Sequence, residues 1–279
     1  MKLTISAFRD ITAFILQGSG EAHFPDLEIR YVPNAEVAHL DLKNGEADLV
    51  FMSYDDTLSM YFEEDYTDII AVMPVHGGIL NLTGEMSATT GKNRVGIDTD
   101  SGYARALRLY LEKSLPADQY NKLSFIKAGA TNIRYDELIQ GNIDATLLNP
   151  PFSYLPGAPS ITRMYDAIGP YQGVIVNVTR RWLTIPANQQ TIKQFAQEYY
   201  ARVSSMRLQP EKTIEELRAF YDQLTQSEAE AIYQRLWSED GLAQDSTFDP
   251  ARLAGTEKIY THDSGVSIKS PRSWVCGVL

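Results

Sequence analysis

Near its start the chain alternates apolar and polar residues from Leu3 to Phe8, the period of a β-strand. A polar break at Arg9-Asp10 follows, and the apolar run from Ile11 to Leu16 suits a helix. Leu27 to Val32 alternates strictly, which predicts a second strand with one buried face. Leu40 to Gly45 reads as a helix end with a glycine stop. Ala47 to Met52 is then a mostly apolar run, as in a central parallel strand. Strand, helix and strand at these lengths form a βαβ unit.

A second unit begins near Val95. Arg94 to Asp98 reads as a strand, Thr99 to Gly102 as a polar turn, and Tyr103 to Lys113 as a helix with Ala106, Leu107, Tyr110 and Leu111 on one face. Leu123 to Lys127 is the next strand, Ile133 to Gln140 a helix stopped by Gly141, and Asp144 to Leu148 a further strand. The two units echo each other. Asn44-Gly45-Glu46-Ala47-Asp48 and Gln140-Gly141-Asn142-Ile143-Asp144 each end a helix on glycine and open a buried strand on an acidic residue. After an apolar strand from Val174 to Val178 the pattern turns helical, over Gln189–Ser205, Thr213–Gln223 and Ser227–Trp237. Ser227 with Glu230 fits a capping box. Beyond Trp237 the periodicity weakens, and Ser264 to Leu279 reads as a loose or packed-down tail.

At 279 residues the chain is long enough for two lobes or one large α/β domain. Its net charge of -11 argues against nonspecific nucleic-acid binding, which needs basic surface to displace counterions. No stretch approaches the roughly 18 apolar residues of a membrane span, so no membrane insertion is expected. No apolar signal region precedes Leu3. The expected location is therefore cytoplasmic if Met1 is the native start, and periplasmic or extracellular if an export signal was trimmed. Cys276 is the only cysteine, which excludes an internal disulfide and a cysteine-rich metal site. His23, His39, His76 and His262 form no metal-binding spacing, so neither a metal nor another cofactor is expected. Of these, His23, His39 and His262 read as surface or loop residues.

Several segments recur in a familiar order: Gly45-Glu46-Ala47-Asp48, Val95-Gly96-Ile97-Asp98-Thr99 with Ser101-Gly102-Tyr103, and Gly141-Asn142-Ile143-Asp144-Ala145 with Leu148-Asn149-Pro150-Pro151. With Gly169-Pro170-Tyr171-Gln172-Gly173 they resemble the nitrate/sulfonate/taurine and thiamine-pyrimidine class of type II periplasmic solute-binding proteins, over residues 3 to 240. The resemblance implies a two-lobed α/β fold with two mixed sheets joined by a two-strand hinge, here near Val72–Leu82 and Gln172–Val178. It implies lobe 1 from residues 1–80 and 178–260, lobe 2 from 81–177, and a C-terminal tail over 261–279.

In open α/β sheets ligands bind beyond the carboxyl ends of the strands. That rule selects Phe8, Arg9 and Asp10; Ser53, Tyr54 and Asp55; His76 and Gly77; Thr99, Ser101, Gly102 and Tyr103; and Asn149, with Tyr171 and Gln172 approaching from the returning crossover. The amides of Ser101 and Gly102 open a helix, where an anion sits well, although Thr99 or Ser101 as a simple cap explains the same residues. Arg9 either clamps a carboxylate, stacks on a ring, or pairs with Asp10 at the surface. Phe8, Tyr54, Tyr103 and Tyr171 suit a flat ligand or serve packing. The carboxylates Asp10, Asp55, Asp98 and Asp100 favour a ligand with amine or ring N–H donors, or act as turn and capping residues. His76 donates to a ligand, acts as a general base, or bonds to hinge backbone.

Three functions fit this pattern. The leading expectation is a binding protein for a small heterocyclic or anionic organic solute, partnered by an ABC importer permease and closing about its hinge. The alternative is an enzyme on the same scaffold, of the decarboxylase, dehydratase or pyrimidine-synthesis type, with His76 and Asp55 as its acid–base candidates. Against it, no cysteine lies near a strand end, and the cysteine-rich motif of the thiamine-pyrimidine synthases is absent. A ligand-sensing domain of a LysR-type regulator is the third.

Overall fold

The computed structural model describes residues 2–18, 24, 26–87, 91–268 and 271–277. Its first half repeats a strand–helix rhythm. β1 (Leu3–Ala7), β2 (Leu27–Tyr31), β3 (Leu49–Ser53) and β4 (Ile69–Pro74) are linked by α1 (Ile11–Gln17), α2 (Ala35–Asn44) and α3 (Tyr54–Phe62). Polar side chains set the starts: Asp10, Asn34 and Ser53 each accept an amide of the first helical turn. Gly45 ends α2 in the left-handed conformation, as the glycine stop predicts.

The chain then crosses into a second set. This comprises β5 (Asn81–Gly84), β6 (Arg94–Ile97), α4 (Tyr103–Ser114), α5 (Ala117–Tyr120), β7 (Ser124–Lys127), α6 (Thr131–Ile139), β8 (Ala145–Leu148), β9 (Ser160–Arg163) and α7 (Met164–Ile168). It returns through β10 (Val174–Thr179) to α8 (Arg180–Leu183), α9 (Pro186–Leu208), α10 (Pro210–Phe220), α11 (Gln226–Leu236) and α12 (Pro250–Ser264).

Among the described residues there are two five-stranded mixed sheets, ordered β2-β1-β3-β10-β4 and β7-β6-β8-β5-β9. The orders are equivalent position by position. In each sheet the fourth strand runs antiparallel to both neighbours, and it is the strand that has just crossed from the other lobe. The duplicated architecture expected from the echoed segments is therefore present, with the crossovers as its hinge. The two crossing segments touch at Gly173, where a Cβ would stand 2.3 Å from the Gly78 amide nitrogen, so only glycine fits.

Separate apolar cores back the two sheets. Phe51 on β3 packs its ring against Phe195 and Tyr199 of α9. Leu82, Val95 and Leu147 of the second sheet pack with Ala106 and Leu107 of α4. With Phe51, Phe195 and Tyr199 fully buried, each such side chain contributes about 1.5–3 kcal/mol through burial.

Several details differ from the sequence-based expectations. Val174 pairs with Ser53 of β3, so residues 174–177 join the first sheet and not the second lobe. The capping box of α11 is Thr225 with Glu228, two residues before the Ser227–Glu230 pair. Residues 250–264 form a helix that packs on both α3 and α4, so α12 bridges the lobes and overlaps the expected tail. Trp274 is buried, and the Cys276 amide donates to the Ala71 carbonyl at 2.8 Å.

Candidate functional site

A cleft lies between the sheets, enclosing about 590 Å³ of empty space with its open mouth included. The polar residues lining it sit at or just past the carboxyl ends of parallel strands: Asp10 after β1, Ser53 and Asp56 at β3, Asp98, Thr99 and Ser101 after β6, Thr131 and Arg134 after β7, and Asn149 after β8. Phe8, Ala35, Ile97, Leu107, Leu147 and Val174 form its apolar walls.

The lobes are latched across this cleft. Ser53 caps α3 by accepting the Asp56 amide at 3.0 Å and donates its hydroxyl to Asp56 Oδ2 at 2.7 Å. Asp56 Oδ1 then accepts the Ser101 hydroxyl of the opposite lobe at 2.9 Å. Beside it, Asp55 Oδ1 accepts the Gly102 amide at 2.8 Å and the Arg105 Nε–H at 3.1 Å. Gly102 stands at φ 63° with Asp56 oxygens 3.1 Å from where a Cβ would lie, so the latch depends on glycine there. Backbone bonds close the rim, from the Ala130 amide to the Pro33 carbonyl at 2.8 Å and from the Ile11 amide to the Pro150 carbonyl at 2.9 Å.

Charge in the cleft is shared among a few buried groups. Burial pushes the carboxyls of Asp10 and Asp98 up to about 6, against the pull of Arg134. Arg134 is buried, its Nε and Nη2 donate to the Leu147 carbonyl at 3.3 and 3.0 Å, and its Nη1 donates to the Gly129 carbonyl. His39, expected at the surface, is buried on α2. Its Nδ1 lies 3.0 Å from Glu64 and its Nε2 3.7 Å from Asp56. Burial disfavours its charge, but the two carboxylates outweigh burial and hold the imidazole up to about 9. Asp56 in turn is buried yet kept below the usual carboxylate range by His39, Ser53 and Ser101.

Of the residues expected at the site, Phe8, Asp10, Ser53, Thr99, Ser101, Gly102, Tyr103 and Asn149 line the cleft. The others do not. Arg9 is exposed, in the turn after β1, and stacks over the Tyr31 ring at 4.7 Å. Tyr54 points away from the cleft, donating to Glu257 at 2.7 Å and accepting from Trp274 at 2.8 Å. Asp55 lies behind the cleft wall in the latch. Tyr171 is buried behind Tyr103, their ring centres 5.9 Å apart. Gln172 braces the hinge by donating to the carbonyls of His76 and Val174.

His76 and Gly77 also belong to the hinge. His76 Nδ1 accepts the Gly78 amide at 3.0 Å, and burial pushes the imidazole down to about 3, which keeps it neutral. Its charged neighbours are Asp240, Arg252 and Arg235, whereas those of Asp55 are Arg105, Asp56 and Asp263, so the two acid–base candidates sit in different surroundings. Gly77 donates its amide to Asp240. The anion seat expected at Ser101 and Gly102 is filled from within by Asp55 and Asp56. His262 is exposed as expected, though on α12, and His23 lies outside the described residues.

Asp56 and Arg134 are the principal cleft residues absent from the expectations. The rule of strand ends reaches Arg134 once it is applied to β7, since Thr131 and Arg134 fall in the first turn of α6. Asp56 is the third residue of a helix capped by Ser53, the spacing of a Ser-x-x-Asp start.

No protein-family model and no curated protein matches the sequence. Solved structures do match over nearly the whole chain. The ligand-binding component of an ABC-type import system from Staphylococcus aureus has a TM-score of 0.73 at 13% identity, covering 95% of this chain and 93% of its own. The Candida albicans CA3427 gene product, described as having the generic periplasmic binding protein fold, has a TM-score of 0.67 at 14% identity, with 97% and 92% covered. The periplasmic aliphatic sulphonate-binding protein SsuA from Escherichia coli has a TM-score of 0.63 at 16% identity, with 95% and 87% covered. Two equivalent mixed sheets, two crossover strands and these matches agree: the chain has the two-lobed periplasmic-binding-protein fold.

Proposed function

We propose that the chain binds a small organic solute by closing its lobes over it, as the solute-binding component of an ABC-type importer. Its partner on this reading is the importer's permease, and its working place is the periplasm or the cell exterior. The observation that carries the proposal is the cleft lined from both lobes and latched by Ser101 on Asp56 and Gly102 on Asp55. A ligand touching both walls binds the closed state better than the open one, and that difference in affinity is what drives hinge closure. The same fold in import components such as the Staphylococcus aureus protein supports the reading.

Native mass spectrometry of freshly purified protein, paired with small-angle scattering, tests it. A bound small molecule, or a solute that shrinks the radius of gyration, is the expected result. If no adduct is seen and no small amine, heterocycle, carboxylate or sulfonate changes either the scattering or the melting temperature, the proposal falls.

A further inference from the structure

The cleft has its anion-binding features filled by the protein itself and two buried acceptor atoms, on Asp98 and Tyr103, left without a partner, while Asp10 keeps one carboxylate oxygen beyond the one that accepts the Thr12 amide. The amino end of α4, where an oxyanion would gain from exposed amides and the helix dipole, receives the Asp55 carboxylate at 2.8 Å. The Ser101 hydroxyl is spent on Asp56. Arg134 donates through Nε, Nη1 and Nη2 to the backbone carbonyls of Leu147 and Gly129.

The acceptor side is the reverse. Asp98 Oδ1 and the Tyr103 hydroxyl oxygen are shut off from solvent and have no hydrogen-bond partner among the described residues. Both residues line the cleft. A buried polar atom left unpaired costs about 1–3 kcal/mol, so a ligand that donates to these atoms recovers that loss on binding. Charge points the same way. Asp10, Asp56, Asp98 and Glu64 face Arg134, His39 and Lys43, four carboxylates against three cations, which leaves one negative charge over when all are ionised. The surrounding walls of Ile97, Leu107, Leu147 and Val174 would cover an apolar body.

We infer that the solute is a small organic cation with N–H donors, of the amine, amidine or protonated amino-heterocycle class, held by Asp98, Asp10 and the Tyr103 hydroxyl. This rests on the solute-binding reading and names its ligand class. Oxyanions are disfavoured by the same geometry, since a sulfonate or carboxylate would meet Asp10 and Asp98 while three of the five Arg134 N–H groups are already engaged.

The test uses the full chain and defined probes: benzamidine and 4-aminopyridine as cations, ethanesulfonate, benzoate and nitrate as anions, each titrated by calorimetry at pH 7.5. At least one cation should bind ten times more tightly than any of the anions. Asp98→Asn should weaken that cation tenfold or more with the circular dichroism spectrum unchanged, while Arg9→Ala, outside the cleft, leaves it within twofold. Tighter binding of an anion, or an Asp98→Asn affinity within threefold of the parent, overturns the inference and leaves the solute-binding reading standing. If neither probe set binds and native mass spectrometry shows no adduct, both readings fall together.

Discussion

Asp55 on α3 and Gly102 at the start of α4 meet at 2.8 Å, carboxylate oxygen to amide nitrogen, and that single contact joins one lobe to the helix dipole of the other. The same oxygen takes Arg105, which is buried and also reaches Ser59, Glu63 and Asp263. The lobes are thus joined by the protein's own carboxyl group, which burial pushes upward and Arg105 pulls back, at a place where a bound anion would otherwise sit.

Asp55→Ala removes this carboxyl group and leaves Arg105 without its most buried partner. Stability should drop by about 3–5 kcal/mol, the range for breaking one side of a buried ion pair. The radius of gyration of the ligand-free protein should rise as the lobes separate. Unchanged scattering together with lost stability would mean that the contact supports the fold but does not set the hinge.

Tyr103→Ala should weaken binding of the solute identified by native mass spectrometry at least tenfold, because Tyr103 lines the cleft with its hydroxyl free. Arg9→Ala should leave that affinity unchanged, because Arg9 is exposed and stacks on Tyr31. The opposite ranking in a calorimetric titration would put the ligand on the outer side of β1.

Much of this was legible in the residues. The echo around Gly45 and Gly141 marks two real helix ends, and the apolar run at Leu49 is a fully buried central strand. Strand ends then locate most of the cleft. Side-chain direction was not legible, because Arg9 and Asp10 are neighbours yet one faces solvent and the other is buried. Tyr54 likewise follows a cleft residue but turns toward α12. Helix α12 shows a different limit. Its weak amphipathic pattern hides it, since it packs against both lobes, although Asp249, Pro250 and Gly265 mark its ends by cap, first-turn proline and left-handed stop.

The C-terminal segment clips α12 in place. Trp274 is buried among Tyr61, Phe62 and Tyr260 and donates its indole N–H to Tyr54. Trp274→Ala should cost about 3–5 kcal/mol, as for other large aromatic truncations in a core. Chemical denaturation measures this directly, and a loss under 1 kcal/mol would show that the segment contributes little.

His39 gives stability a pH dependence at the alkaline end. Its folded value of about 9 lies above the ordinary 6.5, so its contribution is complete below pH 6.5 and disappears as pH rises through 9. Its charged neighbours are Asp56 and Glu64, with Lys43 sharing Glu64. His39→Gln should destabilise the protein by about 1–3 kcal/mol at pH 6 and by little at pH 9.5. Melting curves at the two pH values decide, and an equal loss at both would assign His39 to packing alone.

Asp10 and Asp98 set the acidic end with the opposite sign. Burial raises both from 3.8 to about 6, so between these values the folded chain holds more protons than the unfolded one. Stability of the ligand-free protein therefore falls as pH rises through that window, by at most about 3 kcal/mol for each group. The groups facing them are Arg134, Tyr31, Tyr103, Tyr199 and Tyr221 around Asp10, and Arg134, Asp56 and His39 around Asp98. Asp98→Asn mimics the protonated form, so it should raise the melting temperature at pH 7.5, raise it less at pH 4.5, and leave it unchanged only below about pH 3. A cation seated on these carboxylates drives their protons off, and at pH 6 its binding should release protons, read as a dependence of the calorimetric enthalpy on the ionisation enthalpy of the buffer. An enthalpy independent of buffer, or an Asp98→Asn variant less stable than the parent at pH 7.5, would show that Asp98 stays ionised in the closed cleft without a ligand.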